Sequence, residues 1–166
     1  MWMRMPSRKW LIMVKVLFVC HGNICRSPMA EFLFKDMVNK KGKSNQFIIE
    51  SRATSSEEIG NPIHSGTRRI LDRFNIDYSK KRASRITEND YNSFDYIIIM
   101  DEYNRINIER RIEDRYNKIK LLLDYTDLKR DISDPWYTGD FEKTYSDIVL
   151  GLNGFYKYLE DINAIK

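Results

Sequence analysis

A chain of 166 residues, 42% hydrophobic and 31% charged, is one domain's worth of material. It is too apolar for disorder and too charged for a protein embedded in a membrane. Lys and Arg number 28 against 24 Asp and Glu, and this net charge of +4 suits an anionic ligand but falls short of the basic balance of a dedicated nucleic-acid binder. Two cysteines exclude a disulfide scaffold and a four-cysteine zinc site, and two histidines argue against a His-rich metal centre.

Residues 1–13 read as an N-terminal extension, either disordered or an expression artefact, with Trp2 and Trp10 available to pack on the surface. Arg4, Arg8 and Lys9 before an apolar run imitate a signal peptide, but Lys15 interrupts the run and no small-residue cleavage site follows. No stretch has the ~18 consecutive apolar residues of a membrane span. The expectation is a cytoplasmic protein with reduced thiols and a single domain over 14–166.

Lys15–Val19 is apolar and β-branched, the pattern of a buried strand. From about Pro28 to Val38, Met29, Phe32, Leu33 and Met37 fall on one helical face. Phe47–Glu50 is a second strand. Pro62–Phe74 reads as a helix with Ile63, Ile70, Leu71 and Phe74 inward. Tyr96–Met100 is a continuous apolar run, as in a central parallel strand. Glu102–Arg115 reads as an exposed helix, Lys118–Leu123 as a fourth strand, and Phe141–Leu159 as a closing helix. This alternation predicts an α/β fold: a three-layer αβα sandwich around a four-stranded parallel sheet, Rossmann-like, with a phosphate loop after the first strand.

Chemistry concentrates in Val16–Glu31, VLFVCHGNICRSPMAE. A strand-to-helix loop turns its N–H groups toward one point, where the helix N-terminus adds positive potential. Gly22 allows torsions that a side chain forbids, and Asn23 tolerates left-handed torsions while bonding the loop internally. Pro28 suits a first helical turn. Cys20 and Arg26 bound a C-x5-R spacing. A thiol pKa of about 8.5 falls to ~3.5–7.5 beside cations or a helix N-terminus, so Cys20 is expected as a nucleophilic thiolate. Arg26 offers a planar fork for two phosphoryl oxygens, and Ser27 is placed to donate to the sulfur.

A leaving oxygen needs a proton, which a carboxylic acid commonly supplies. Asp134 lies in the loop RDISDPWYTGDF, where Pro135 restricts its torsions and Trp136 and Tyr137 offer aromatic surface; Asp131 and Asp140 are local rivals.

The segment from Cys20 to Pro28 resembles the loop of the low-molecular-weight protein tyrosine phosphatases, Cys-x-Gly-Asn-x-Cys-Arg-Ser-Pro, at Cys20, Gly22, Asn23, Cys25, Arg26, Ser27 and Pro28. Similarity extends from about Val14 to Leu159, through FDYIIIMD at Phe94–Asp101 and DPWY at Asp134–Tyr137. The resemblance implies Cys20 as nucleophile, Arg26 as phosphate clamp and Asp134 as general acid. Only Asp134 fits the family's Asp-Pro-aromatic motif. It further implies substrate contacts from His21, Gly22, Asn23, Ile24, Cys25, Ser27, Trp136 and Tyr137, and support of the loop by Asn23, Ser27 and Ser51. The apolar Ile24 is similar to members acting on phosphotyrosine; relatives acting on phosphoarginine carry threonine there. His21 reads as a rim residue and His64 as a surface or helix-start histidine.

Two departures stand out. Ser51–Gly60 carries Arg52, Glu57 and Glu58 where relatives have apolar or aromatic residues, which predicts a polar cleft wall that prefers basic flanking residues. Some relatives have a histidine before the Ala-Arg segment; Lys80, Lys81 and Arg82 stand there, and its contribution is expected to be missing. Asn39–Lys43 and Lys80–Arg85 read as solvated basic loops.

The implied activity is removal of phosphate from protein phosphotyrosine through a phosphocysteine intermediate, without metal or cofactor, with phosphate and other oxyanions as inhibitors. The alternatives are a phosphoarginine phosphatase and a thiol arsenate reductase; the latter needs further cysteines to relay a disulfide. The resemblance implies that Cys20 and Cys25 can close a protective reversible disulfide; the alternative is that Cys25 only packs under the loop. Expected partners are phosphotyrosine proteins or peptides, with no nucleic acid, no membrane, and a monomeric or weakly dimeric state.

Overall fold

The computed structural model describes residues 12–166. The expectations for Trp2, Trp10 and most of the extension lie outside the described residues.

Four parallel strands form one sheet: β1 (Val14–Cys20), β2 (Phe47–Ala53), β3 (Tyr96–Ile99) and β4 (Ile119–Leu121), in the order β2-β1-β3-β4. β1 is central. It pairs with β2 from Val14↔Phe47 to Cys20↔Ala53, and with β3 from Val16↔Tyr96 to Val19↔Ile99. β4 pairs with β3 over Ile97–Ile99. Period-two alternation sends β1 side chains to opposite faces. Val16, Phe18 and Cys20 join one apolar cluster with Met29, Phe34, Leu71, Ile148 and Phe155; Leu17 and Val19 join the other with Ile86, Tyr91, Ile97, Ile99 and Ile108.

The first cluster lies under α1 (Arg26–Lys40), α2 (Ser65–Asp72) and α6 (Phe141–Asp161). The second lies under α3 (Glu88–Ser93) and α4 (Glu102–Glu109). Both faces are covered, so the αβα sandwich expected from the sequence is present. α1 begins two residues earlier than its apolar pattern suggests, and its buried face is Met29, Ala30, Leu33, Phe34 and Val38, with Phe32 and Met37 only half-buried. Gly154 of α6 lets that helix approach the 3-10 turn Leu122–Tyr125: a Cβ there would stand 2.1 Å from the Tyr125 carbonyl oxygen.

Three expected elements have other bounds in the structure, and two short helices are additional. The helix expected over Pro62–Phe74 starts at Ser65, because His64 caps it and accepts from the Gly66 N–H, and it stops at Asp72. The helix expected over Glu102–Arg115 ends at Glu109, where Ile112 turns into the core and Tyr91 Oη binds Asp114 and the Tyr116 N–H, tying the following segment down. The strand expected over Lys118–Leu123 pairs only at Ile119–Leu121 before the chain tightens into the 3-10 turn. α3 and the short α5 (Pro135–Thr138) were not anticipated; a Thr87–Asp90 capping box starts the former and Asp134 caps the latter.

The crossover β1-α1-β2 runs over one face and β3-α4-β4 over the other. Their departure at the carboxyl ends of β1 and β3 creates a crevice, the position where open α/β sheets bind ligands. Among the described residues no helix is long and apolar enough to cross a membrane.

Candidate active site

The loop 21–25 joins β1 to α1 with four carbonyls in and beside it turned toward neighbouring segments. The carbonyl of Cys20 accepts from Thr54 N, that of His21 from Ser55 N and Oγ, that of Ile24 from His64 N, and that of Cys25 from Thr67 Oγ1, all at 2.9–3.1 Å. Amide N–H groups are thereby left facing inward. Those of Asn23 and Ser27 reach Cys20 Sγ at 3.3 and 3.4 Å. Ser27 Oγ lies 3.1 Å from the same sulfur. The first turn of α1 carries no acidic residue, so its positive end acts on the sulfur undiminished.

The left-handed residue of the loop is Asn23, with φ 60°. This corrects the expectation for Gly22, whose φ is not positive. A Cβ on Gly22 would come 3.3 Å from Glu58 Cγ, a close approach that the Glu58 side chain would have to relieve by a few tenths of an ångström. Asn23 fits the left-handed well because its buried amide is fully engaged. Oδ1 accepts from Ser84 N at 3.1 Å, and Nδ2 donates to Ser27 Oγ at 2.8 Å and Ser51 Oγ at 2.9 Å.

Arg26 is buried, 2% exposed. Nη1 donates to Asp101 Oδ2 and to the Ile132 carbonyl, both at 2.7 Å, and Nη2 lies 3.3 Å from Asp134 Oδ2. Burial works against its charge, but Cys20, Asp101 and Asp134 outweigh that and raise its pKa. Among the described residues Arg26 Nε has no hydrogen-bond partner. A buried charged donor left unpaired is costly, so this edge of the guanidinium calls for an acceptor.

Asp134 is partly buried; its Oδ1 accepts from the Trp136 N–H at 3.0 Å while Oδ2 faces Arg26. The rival aspartates are engaged elsewhere: Asp131 accepts from Glu102 N and Asp140 from Lys143 N. One cleft is lined by Cys20, His21, Gly22, Ile24, Cys25, Arg26, Asp134, Trp136 and Tyr137 together with Glu57 and Glu58. Asn23, Ser27 and Ser51 stand behind it. Trp136 and Tyr137 are exposed, and the Trp136 ring meets His64 edge-on at 5.7 Å.

Glu57 is 3.2 Å from His21 Nε2 on the rim. Arg52 does not reach the cleft: it pairs with Asp90 and donates to the Ser51 carbonyl. The sequence reading did not single out Asp101, although an aspartate directly after a buried central strand, at the edge carrying the loop, was an available signal. It also did not single out Glu31, which accepts from Ser51 Oγ at 2.6 Å. Cys25 is buried; burial and then the neighbouring Cys20 and Asp134 push its thiol up, with Arg26 opposing.

A family model described as low molecular weight phosphotyrosine protein phosphatase matches residues 15–164. The chain is 45% identical over 144 residues to the low molecular weight protein-tyrosine-phosphatase YfkJ of Bacillus subtilis, covering 84% of this chain and 91% of that protein. The YfkJ crystal structure superposes with a TM-score of 0.86 and 39% identity, over 90% of this chain and 96% of that one. A low molecular weight protein tyrosine phosphatase from Streptococcus pyogenes gives 0.79 and 46%, over 89% and 93%. A Drosophila arginine phosphatase gives 0.78 and 28%, over 87% and 97%. With its sulfur-centred loop, buried arginine and parallel sheet, the chain belongs to the low molecular weight phosphotyrosine protein phosphatase family and is a cysteine-dependent phosphatase.

Proposed function

We propose that the protein hydrolyses protein phosphotyrosine through a phosphocysteine intermediate, with Cys20 as nucleophile, Arg26 as clamp and Asp134 as general acid and base. The observation that carries this reading is the buried Nε of Arg26, which has no hydrogen-bond partner among the described residues. It stands beside a sulfur that already receives two backbone N–H groups. A phosphoryl group supplies the missing acceptor.

Binding places the phosphoryl oxygens against the loop N–H groups and the free edge of Arg26. The Cys20 thiolate attacks phosphorus in line, forming an S–P bond as the P–O bond to the phenol breaks. Asp134 gives its proton to the departing oxygen, and Ser27 Oγ holds the sulfur. Ionised Asp134 then accepts a proton from water, whose oxygen attacks phosphorus. The S–P bond breaks, and thiolate and phosphate result. Positive charge from Arg26 and the α1 terminus follows the charge on the transferring group. Trp136, Tyr137 and Ile24 provide aromatic and apolar surface for a phenyl ring.

Cys20→Ser should abolish turnover of p-nitrophenyl phosphate, and undiminished activity would overturn the reading. Phosphotyrosine, phosphoserine and phosphoarginine peptides assayed with one preparation should rank phosphotyrosine first. Phosphoarginine ranking first would transfer the substrate assignment to that class.

A further inference from the structure

Behind the loop, the basic segment expected to be solvated turns inward. Lys80 and Arg82 are exposed, but the Lys81 side chain is only 9% exposed. Its Nζ lies 3.1 Å from Glu31 Oε1 and donates to the Ser51 carbonyl at 3.0 Å. The Glu31 side chain is 2% exposed, and its other oxygen takes Lys35 Nζ at 2.6 Å. We propose that Lys81 is a positioning residue for Cys20, acting through the carboxylate of Glu31 and the side chains of Ser51, Asn23 and Ser27. This rests on the assignment of Cys20 as nucleophile.

Donor and acceptor counting gives the relay a direction. A carboxylate only accepts, so Ser51 must give its hydroxyl proton to Glu31, at 2.6 Å. The Ser51 oxygen is then free to accept from Asn23 Nδ2. The amide cannot turn over, because Oδ1 already accepts from Ser84 N. Its second Nδ2 proton therefore goes to Ser27 Oγ. Ser27 must aim its own proton elsewhere, and the available acceptors are Cys20 Sγ at 3.1 Å and the more distant Arg52 carbonyl at 3.4 Å. An ammonium at the far end thus favours a hydroxyl donor on an anionic sulfur at the near end.

Without Lys81, Glu31 keeps, among the described residues, only the part-exposed Lys35 as a cation. A buried carboxylate stripped of a partner draws in a proton or turns away. A protonated carboxyl can donate to Ser51, and the polarity of the whole relay is then no longer imposed.

The test compares Lys81→Met, Lys81→Arg and the exposed neighbour Lys80→Met. The readouts are kcat on p-nitrophenyl phosphate, the Ki of inorganic phosphate, and the rate of iodoacetamide labelling of Cys20 followed by mass spectrometry at one fixed pH. Lys81→Met should lower kcat and Cys20 labelling together by on the order of tenfold, the scale seen for supporting partners of functional groups. The phosphate Ki should stay within about twofold, and Lys81→Arg should recover most of the loss. Lys80→Met should behave as wild type. The proposal is overturned if Lys81→Met leaves both rates unchanged. It is equally overturned if kcat and Ki worsen in parallel with no rescue by arginine, or if Lys80→Met does the same as Lys81→Met. A wild-type protein that turns over no aryl phosphate would sink the assigned function, while the labelling rates would still decide the role of Lys81.

Discussion

Asp101 Oδ2 accepts from Arg26 Nη1 at 2.7 Å, joining the segment after β3 to the first turn of α1. The same aspartate caps α4 by accepting from the Asn104 N–H at 2.9 Å. One side chain thus holds the Arg26 guanidinium and starts a helix, and two substitutions separate the roles. Asp101→Asn retains a capping side chain but removes the charge beside Arg26. It should weaken inhibition by phosphate about tenfold, or 1.4 kcal/mol, with a nearly unchanged melting temperature. Asp101→Ala should in addition cost about 1 kcal/mol of stability through the lost cap. Competitive inhibition and thermal unfolding measure the two effects, and an unaltered phosphate Ki in both variants would contradict the clamp-aiming role.

Asp134 is poised between the Trp136 N–H and Arg26, facing the cleft. As a proton donor it matters most when the leaving oxygen is basic. Asp134→Ala should slow an alkyl or unsubstituted phenyl phosphate by about 10²–10⁴-fold and a strongly activated aryl phosphate far less. A series of substituted phenyl phosphates gives the slope. Equal loss across the series would remove Asp134 from the role of acid.

The two loop cysteines should be chemically unequal. Burial holds Cys25 above its ordinary value, so it keeps its proton through neutral pH, whereas the Cys20 sulfur receives two loop N–H donors. Iodoacetamide at about pH 8 should label Cys20 and spare Cys25. The same shift sets the sign of an alkaline effect. Once pH passes the unfolded thiol's value, the unfolded chain loses a proton that the native chain retains, and stability falls as pH rises. Tyr96, pushed up to about 12 chiefly by burial, and Tyr125, raised chiefly by burial, act in the same direction once pH exceeds the ordinary tyrosine range. Melting temperature should therefore drop between about pH 9 and 11, less steeply in Tyr125→Phe. A flat profile over that range would contradict these shifts.

Glu57 and Glu58 give one cleft wall a negative charge, with His21 beside Glu57. Phosphotyrosine peptides flanked by Lys or Arg should have kcat/KM about three- to tenfold above peptides flanked by Glu at low salt, with the difference shrinking as salt is added. Replacing both glutamates with lysine should reverse the order. An unchanged order in the double variant would place peptide selection elsewhere.

The loop was legible in the linear sequence because its requirements are local. A strand end, a residue tolerant of positive φ, a proline-tolerant first turn and a C-x5-R spacing are all set by neighbours in the chain, and these features pointed to Cys20, Arg26 and Ser27. The parallel sheet was legible for a similar reason, since continuous apolar runs such as Tyr96–Met100 are buried on both faces. Element ends were less legible. Glu102–Arg115 carries helical composition throughout, but Tyr91, from a different segment, captures Asp114 and Tyr116 and stops the helix early.

What the sequence by itself determined is the chemistry available: one nucleophilic sulfur, one guanidinium and an aspartate held before a proline. Tertiary structure alone decided which distant groups serve them. Asp101 reaches Arg26 across 75 positions and Ser51 reaches Asn23 across 28, while Lys81 in a basic run is drawn inside to meet Glu31. Partner choice of this kind depends on where parallel strands end side by side. Strand register is a property of the packed sheet and is not encoded in the spacing of any one segment.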